Sequence, residues 1–196
     1  TFNSVLKWQA GEGAVDQYDK VHPVPFAEYL PNRDFFYPLA PSMFDMVPRD
    51  YTHGTRDPVM TAGDAIAGIA ICYDIVDDTL FRNMLAANAN VIFAPTNNSD
   101  FGRTDESIQQ LGIARMRAVE TGRAVVNVST VGVSAVIAPD GSDIDRLEPF
   151  TAGVIVADVP LSTVVTPASV IGLPLEWALI VMGLVPTIGL RRKRAA

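Results

Sequence analysis

The chain of 196 residues has one cysteine and two histidines. A lone cysteine excludes an internal disulfide framework and any Cys-rich zinc site. His22 and His53 share no i, i+4 spacing with a second ligand, which argues against a His-based catalytic metal. Charged residues make up 19% of the chain and hydrophobic residues 48%. That balance excludes disorder, which needs low hydrophobicity and high net charge. Positive charge is scarce on the body. The net charge is −7, and four of the 15 basic residues are Arg191, Arg192, Lys193 and Arg194. Residues 1–190 therefore hold 11 basic residues against 22 acidic, a charge of −11. An acidic body lacks the basic face that nucleic-acid binding requires. The first residue is not Met, and no charged-then-apolar leader follows it. The start reads as a cut, with an upstream part expected.

What is present begins with the C-terminus. Ile171–Leu190 holds twenty residues with one charge, Glu176. About 20 apolar residues in a helix span a bilayer core of about 30 Å. Trp177 lies near one end, where interfacial aromatics gather, and the Arg-Arg-Lys-Arg run follows the other. Pro174 and Pro186 are tolerated better in membrane helices than in soluble ones. The expectation is a transmembrane helix over 167–190 and a basic cytoplasmic tail over 191–196, with residues 1–170 outside. A buried C-terminal core helix is the other reading.

The body alternates strand and helix signals. Ala65–Ile71 and Val91–Ala94 are short apolar runs that read as buried strands, the second stopped by Pro95. Thr79–Asn88 is helix-like, with Asp77 and Asp78 as first-turn acids. Ser107–Gly122 is the clearest helix, with Gly122 as its C-terminal cap. Arg115, Arg117 and Glu120 on it read as a structural ion-pair set. Ala124–Val128, Ser134–Ile137 and Gly153–Val159 read as strands, with a turn at Pro139-Asp140-Gly141. Gly11-Glu12-Gly13 reads as a hairpin turn. The class is α/β.

Residues 31–57 fit neither period. They hold Pro31, Pro38, Pro41 and Pro48 among Phe35, Phe36, Tyr37, Met43, Phe44, Met46 and Tyr51. A long loop in a compact domain is usually functional. It either packs its aromatics on the core or forms an apolar arm that meets lipid or a greasy substrate.

Two places carry chemistry. Cys72 follows the buried strand and precedes Tyr73-Asp74. A nucleophile at a strand-to-helix junction is exposed near backbone N–H groups that can hold an oxyanion. Position alone leaves an inert buried cysteine as the other reading. Lys20 lies in YDKVHPVPFAEYLP, which sets a lysine, His22 and Glu28 within nine residues. A lysine or a histidine beside the thiol could stabilise a thiolate.

Those stretches, with GIAICYDIV, the NNSDFG loop after VIFAPT, and QLGIARMRAVETGRAVVNVSTVGVSAVIAPDG, resemble the C-terminal half of the nitrilase superfamily. Within it they are most similar to the apolipoprotein N-acyltransferase family. The resemblance implies a nitrilase-like αββα sandwich over residues 1–166, in part, followed by the membrane helix. It implies a Glu-Lys-Cys triad with Cys72 as nucleophile and Lys20 stabilising the oxyanion and thiolate. Glu28 would be the additional carboxylate beside the triad. Tyr73 would offer its N–H to the oxyanion, and Asp74 stands where the family has glutamate. Asn98 and Phe101 would help wall an acyl pocket. The partners implied are a phospholipid acyl donor, the N-terminal cysteine amine of an apolipoprotein and a bacterial cell membrane, with no cofactor or metal. Ala27 replaces the family's glycine and would be strained if that position needs φ > 0. The base glutamate is expected upstream of the chain. Of the carboxylates before Lys20, Glu12 sits in the hairpin turn, and Asp16 and Asp19 are the others. Residues 1–196 alone are therefore expected to turn over little. A soluble carbon–nitrogen hydrolase and a catalytically dead lipid- or partner-binding domain are the alternative functions.

Overall fold

The computed structural model describes residues 1–194, with side chains through Leu184. A hairpin opens the chain: β1 (Ser4–Gln9) pairs antiparallel with β2 (Gly13–Asp19). The turn between them uses Gly11 and Gly13 at φ 83° and 88°, values that glycine adopts without steric cost. The Gly-Glu-Gly reading as a hairpin turn therefore holds.

Residues 31–57 differ from the sequence expectation. They contain two single-turn helices, α1 (Arg33–Phe36) and α2 (Pro41–Phe44), with a 3-10 turn at Tyr37–Leu39 between them. Pro38 and Pro41 stand at first-turn positions, where the missing N–H costs nothing. The prolines thus divide the helical content into short pieces.

The main sheet has six strands in the order β3-β4-β5-β6-β7-β8. These are β3 (Val59–Ala62), β4 (Ala65–Ile69), β5 (Val91–Thr96), β6 (Val125–Ser129), β7 (Ser134–Ile137) and β8 (Asp143–Leu147). The pairs β4-β5 and β5-β6 are parallel, and the others are antiparallel. The parallel connections run through α3 (Asp78–Ala86) and α4 (Glu106–Thr121), as parallel strands require. Pro95 does not stop β5, since it pairs opposite Val128 inside the ladder.

The period of two along the strands separates two clusters. Ala70, Ile92, Ala94, Val125 and Ile137 pack with Leu80, Phe81 and Met84 of α3 and Leu111, Ala114 and Ala118 of α4. The opposite face gathers Ala67, Ile69, Ile71 and Val91 with Tyr18 from the hairpin. That face leaves Phe93 and Val128 partly in solvent.

Gly153–Val159, read as a strand, is not one. Its residues alternate between exposed and half-buried, but they join no ladder among the described residues. A strand is defined by its partner, which the pattern alone does not supply. The strand β3 is only four residues long and β8 holds two apolar residues in five, so neither shows a strand pattern of its own in the sequence. The chain then enters α5 (Pro167–Arg194). Pro167–Leu184 has a mean hydropathy of 1.6, is unburied, and is long and apolar enough to cross a membrane. Within the described residues that stretch is not buried in a core. The basic run at 191–194 lies where only backbone is described, and Ala195 and Ala196 lie outside the described residues.

Candidate active site

Three segments converge at the C-terminal end of β4. Cys72 opens a 3-10 turn, Cys72–Val76, just past the strand. Its φ is +54°, a left-handed conformation that a side chain adopts only when its surroundings impose it. Asp74 fastens this elbow. Its Oδ2 accepts the Ile71 N–H at 3.1 Å, and its own N–H donates to the Ile71 carbonyl. The cysteine is half-buried and packs against the apolar cluster that includes Tyr18, as does Val21, the residue after Lys20.

Lys20 follows β2 and is 1% exposed. A lysine is almost never that buried without a partner. Its Nζ donates to Glu28 Oε2 at 2.7 Å. Glu28 also accepts the Val24 N–H at 2.7 Å and Asn3 Nδ2 at 2.9 Å. Burial pushes the Glu28 carboxyl up, but these donors, Lys20 first, outweigh it and hold the pKa below the usual value. Glu28 is therefore an ionised partner that fixes the lysine. The backbone of Lys20 is held as well, its N–H by Asn3 O and its carbonyl by the Gly54 N–H.

Asp74 is fully buried, and its Oδ1 has no hydrogen-bond partner. Burial pushes its pKa up to about 7 against the favourable charge of Lys20. The Tyr18 hydroxyl is raised by burial and then by the Asp74 charge. The Tyr73 side chain points outward, 52% exposed. Asn98 is buried and accepts from the Thr96 hydroxyl at 2.7 Å. Phe101 is half-buried at the end of the 3-10 turn Ser99–Phe101. Ala27 does not have the positive φ that its replacement of glycine would have strained; the residue before it, Phe26, does, at 65°. His22 Nδ1 lies 3.0 Å from Asp77 Oδ2. The other Asp77 oxygen caps α3 through the Leu80 N–H.

Glu12, Asp16 and Asp19 remain on the hairpin. Glu12 accepts from Gln9, Asp16 pairs with Arg56 at 2.5 Å, and Asp19 accepts from Ser4 and Gln17. None of them bonds Lys20. Arg117 and Glu120 form the i, i+3 pair at 2.7 Å, and Arg115 reaches Asp143 instead, so this set is structural.

The 31–57 segment closes beside Glu28. Arg33 binds Asp50 through two nitrogens, at 2.6 and 3.2 Å, and the Tyr51 N–H donates to the Glu28 carbonyl. Phe26, Ala27, Phe36, Met43, Phe44, Met46 and Val47 line an open apolar cavity of about 630 Å³ there. Two contacts escaped the sequence reading, Asn3 on Glu28 and Gln110 on the Cys72 carbonyl. They span 25 and 38 residues, a separation that local patterning does not reach. Among the described residues no group of three or more His, Cys, Asp or Glu gathers as a metal site.

The structure thus joins a cysteine on a strained elbow at the end of a mixed sheet with a buried lysine and its carboxylate from the segment after the hairpin. The carbon–nitrogen hydrolase family matches residues 2–166, and the chain belongs to it. Its curated relatives include proteins named apolipoprotein N-acyltransferase. One from Mycolicibacterium smegmatis is 36% identical over 92% of this chain and 30% of its own length. One from Pseudomonas aeruginosa is 32% identical over 87% of this chain and 35% of its own. The chain thus spans about a third of the length of these relatives. Among solved structures, a Saccharomyces cerevisiae member of the nitrilase superfamily superposes with a TM-score of 0.55 at 17% identity. That match covers 77% of this chain and 51% of the other. An amidase from Nesterenkonia gives a TM-score of 0.51 at 21% identity, covering 76% and 51%. Both show the nitrilase-superfamily fold.

Proposed function

We propose that this chain is the nucleophile-bearing part of a membrane-bound acyltransferase that moves a fatty acyl group from a phospholipid to the N-terminal cysteine amine of an apolipoprotein. The observation that carries this reading is the 1%-exposed Lys20, which ionised Glu28 holds and whose charge acts on Asp74 of the Cys72 elbow. A cation kept in a dry, fixed position is suited to a charge that develops only during reaction. In the first half-reaction the Cys72 thiolate attacks the ester carbonyl. A C–S bond forms, the ester C–O bond breaks, and the lysophospholipid leaves with a proton. In the second, the acceptor amine attacks the thioester. A C–N bond forms, the C–S bond breaks, the amine gives up a proton and Cys72 is restored. Lys20 and the Tyr73 N–H hold the oxyanion in both. Asn98 and Phe101 flank the cysteine side of the acyl site, and the apolar cavity beside Ala27 takes the chain.

The apolar helix supports membrane attachment. The basic run after it favours a cytoplasmic C-terminus with the catalytic domain on the outer face. With Glu12 and Asp19 committed to hairpin contacts and Asp16 to Arg56, residues 1–196 alone turn over slowly. A neutral-pH thiol is only a few per cent ionised, and general-base help is typically worth about 10²–10⁴-fold.

Mass spectrometry of the full-length protein after incubation with phospholipid vesicles tests this. The expected result is an acyl adduct on the Cys72 peptide that disappears on adding an N-terminal cysteinyl peptide. An unmodified Cys72 together with undiminished activity of Cys72→Ala would refute it.

A further inference from the structure

The inward face of α4 is read from its buried positions, Ser107, Leu111, Ala114, Arg117, Ala118 and Thr121. Gln110 stands on that same face at i, i+4 from Ala114 and i, i+7 from Arg117. Gln110 is half-buried there, and an amide withdrawn from water needs a partner. Gln110 Nε2 donates to the Cys72 carbonyl at 3.1 Å. Its Oε1 lies 3.1 Å from the Thr96 hydroxyl, whose single proton it shares with the nearer Asn98 Oδ1 at 2.7 Å. Two turns further along α4, the guanidinium of Arg117 donates to the Ile75 carbonyl at 2.9 Å. One helix therefore grips the Cys72–Val76 turn at two carbonyls, the nucleophile's own and one three residues on.

Arg117 has other work in its ion pairs with Asp78 and Glu120. Gln110 has no contact except the nucleophile's carbonyl and the Thr96 hydroxyl among the hydrogen bonds of the described residues. Holding that carbonyl fixes the peptide plane between Cys72 and Tyr73. This plane carries the Tyr73 N–H assigned to the oxyanion and follows directly on the left-handed backbone of Cys72, at φ +54°. A strained left-handed residue persists only where its neighbours over-determine it.

We infer that Gln110 is a positioning residue for the nucleophile: its side-chain amide, steadied by Thr96, holds the Cys72 carbonyl and so aims the thiol and the Tyr73 N–H at one acyl carbon. The role rests on Cys72 being the nucleophile, yet thiol alkylation measures it without any acyl transfer.

The test uses the full-length protein in detergent, with iodoacetamide as probe and the Cys72 peptide quantified by mass spectrometry. Gln110→Met keeps the length of the side chain and removes the donor. It is expected to slow alkylation about tenfold, the size of one lost hydrogen bond. In the acyl-transfer assay it should lower kcat by a similar factor with little change in KM. Gln110→Lys restores an N–H donor and should recover most of the alkylation rate. Thr96→Val leaves α4 untouched and should slow alkylation about threefold through the loosened amide. The inference is overturned if Gln110→Met alkylates within twofold of the parent, or if Gln110→Lys falls as far as Gln110→Met, which would make the role one of packing. Should Gln110→Met fail to fold, an unchanged rate in Thr96→Val overturns it. A Gln110 effect on alkylation in a protein that never forms an acyl adduct would instead defeat the acyltransferase reading and leave this one standing.

Discussion

Asp74→Asn separates the electrostatic cost of the site from its architecture. The Asp74 carboxyl has no exposed surface, and one of its oxygens has no partner. Burial therefore raises its pKa from 3.8 to about 7, against the charge of Lys20. The folded state keeps this proton longer than the unfolded chain does. Stability contributed by Asp74 is thus complete below about pH 4, falls as pH rises, and levels off above about pH 7. The gap is roughly 3 pH units, or about 4 kcal/mol at 1.36 kcal/mol per unit. About 1 kcal/mol of that is already lost at pH 4.5 and the whole by pH 8. Asparagine cannot ionise, yet it keeps an acceptor for the Ile71 N–H. Its amide donor has no acceptor in place of Oδ1, which costs about 1–3 kcal/mol at every pH. That constant offset cancels when two pH values are compared. Relative to the parent, Asp74→Asn should therefore gain about 3 kcal/mol between pH 4.5 and pH 8. Urea unfolding in mild detergent, followed by circular dichroism across that range, measures it. A difference between parent and variant that stays constant within about 0.5 kcal/mol from pH 4.5 to 8 would refute the reasoning.

The left-handed backbone of Cys72 predicts that Cys72→Gly is more stable than Cys72→Ala by about 1 kcal/mol, since only glycine escapes the strain; equal melting points would count against it. Gly54 holds the Lys20 carbonyl, and a Cβ there would lie 2.0 Å from the Asp19 carbonyl oxygen. Gly54→Ala should displace the end of β2, destabilise the fold by about 2 kcal/mol or more, and slow acyl transfer; a variant of parental stability and activity would refute this. Arg117 is buried between Asp78, Glu120 and the Ile75 carbonyl, and stacks 4.5 Å over Phe81. Arg117→Leu should cost about 3 kcal/mol in chemical unfolding, and a loss under about 1 kcal/mol would mark the pairs as mere surface contacts.

Local pattern was enough for α3, α4, the buried strands β4 to β7 and the apolar helix, because each has a helical repeat or an apolar run of its own. It failed where a partner decides the state. Gly153–Val159 has the alternation of a strand and no ladder, while β3 and β8 are strands largely because β4 and β7 pair with them. The proline-rich segment at 31–57 was legible as irregular, but not its helical turns or the Arg33–Asp50 clasp at its base.

The sequence by itself determined the chemistry available: one thiol, one lysine in an unpatterned motif, and a carboxylate eight residues on. It also determined the split of charge between an acidic body and a basic end. Only the tertiary structure decided that Lys20 is buried against Glu28, that Cys72 is left-handed, and that Gln110 reaches across 38 residues to hold it. The physical reason is that pKa, strain and hydrogen-bond geometry depend on neighbours brought from distant parts of the chain. A residue's identity states what it can do, and its surroundings decide which charge and direction it has when it does so.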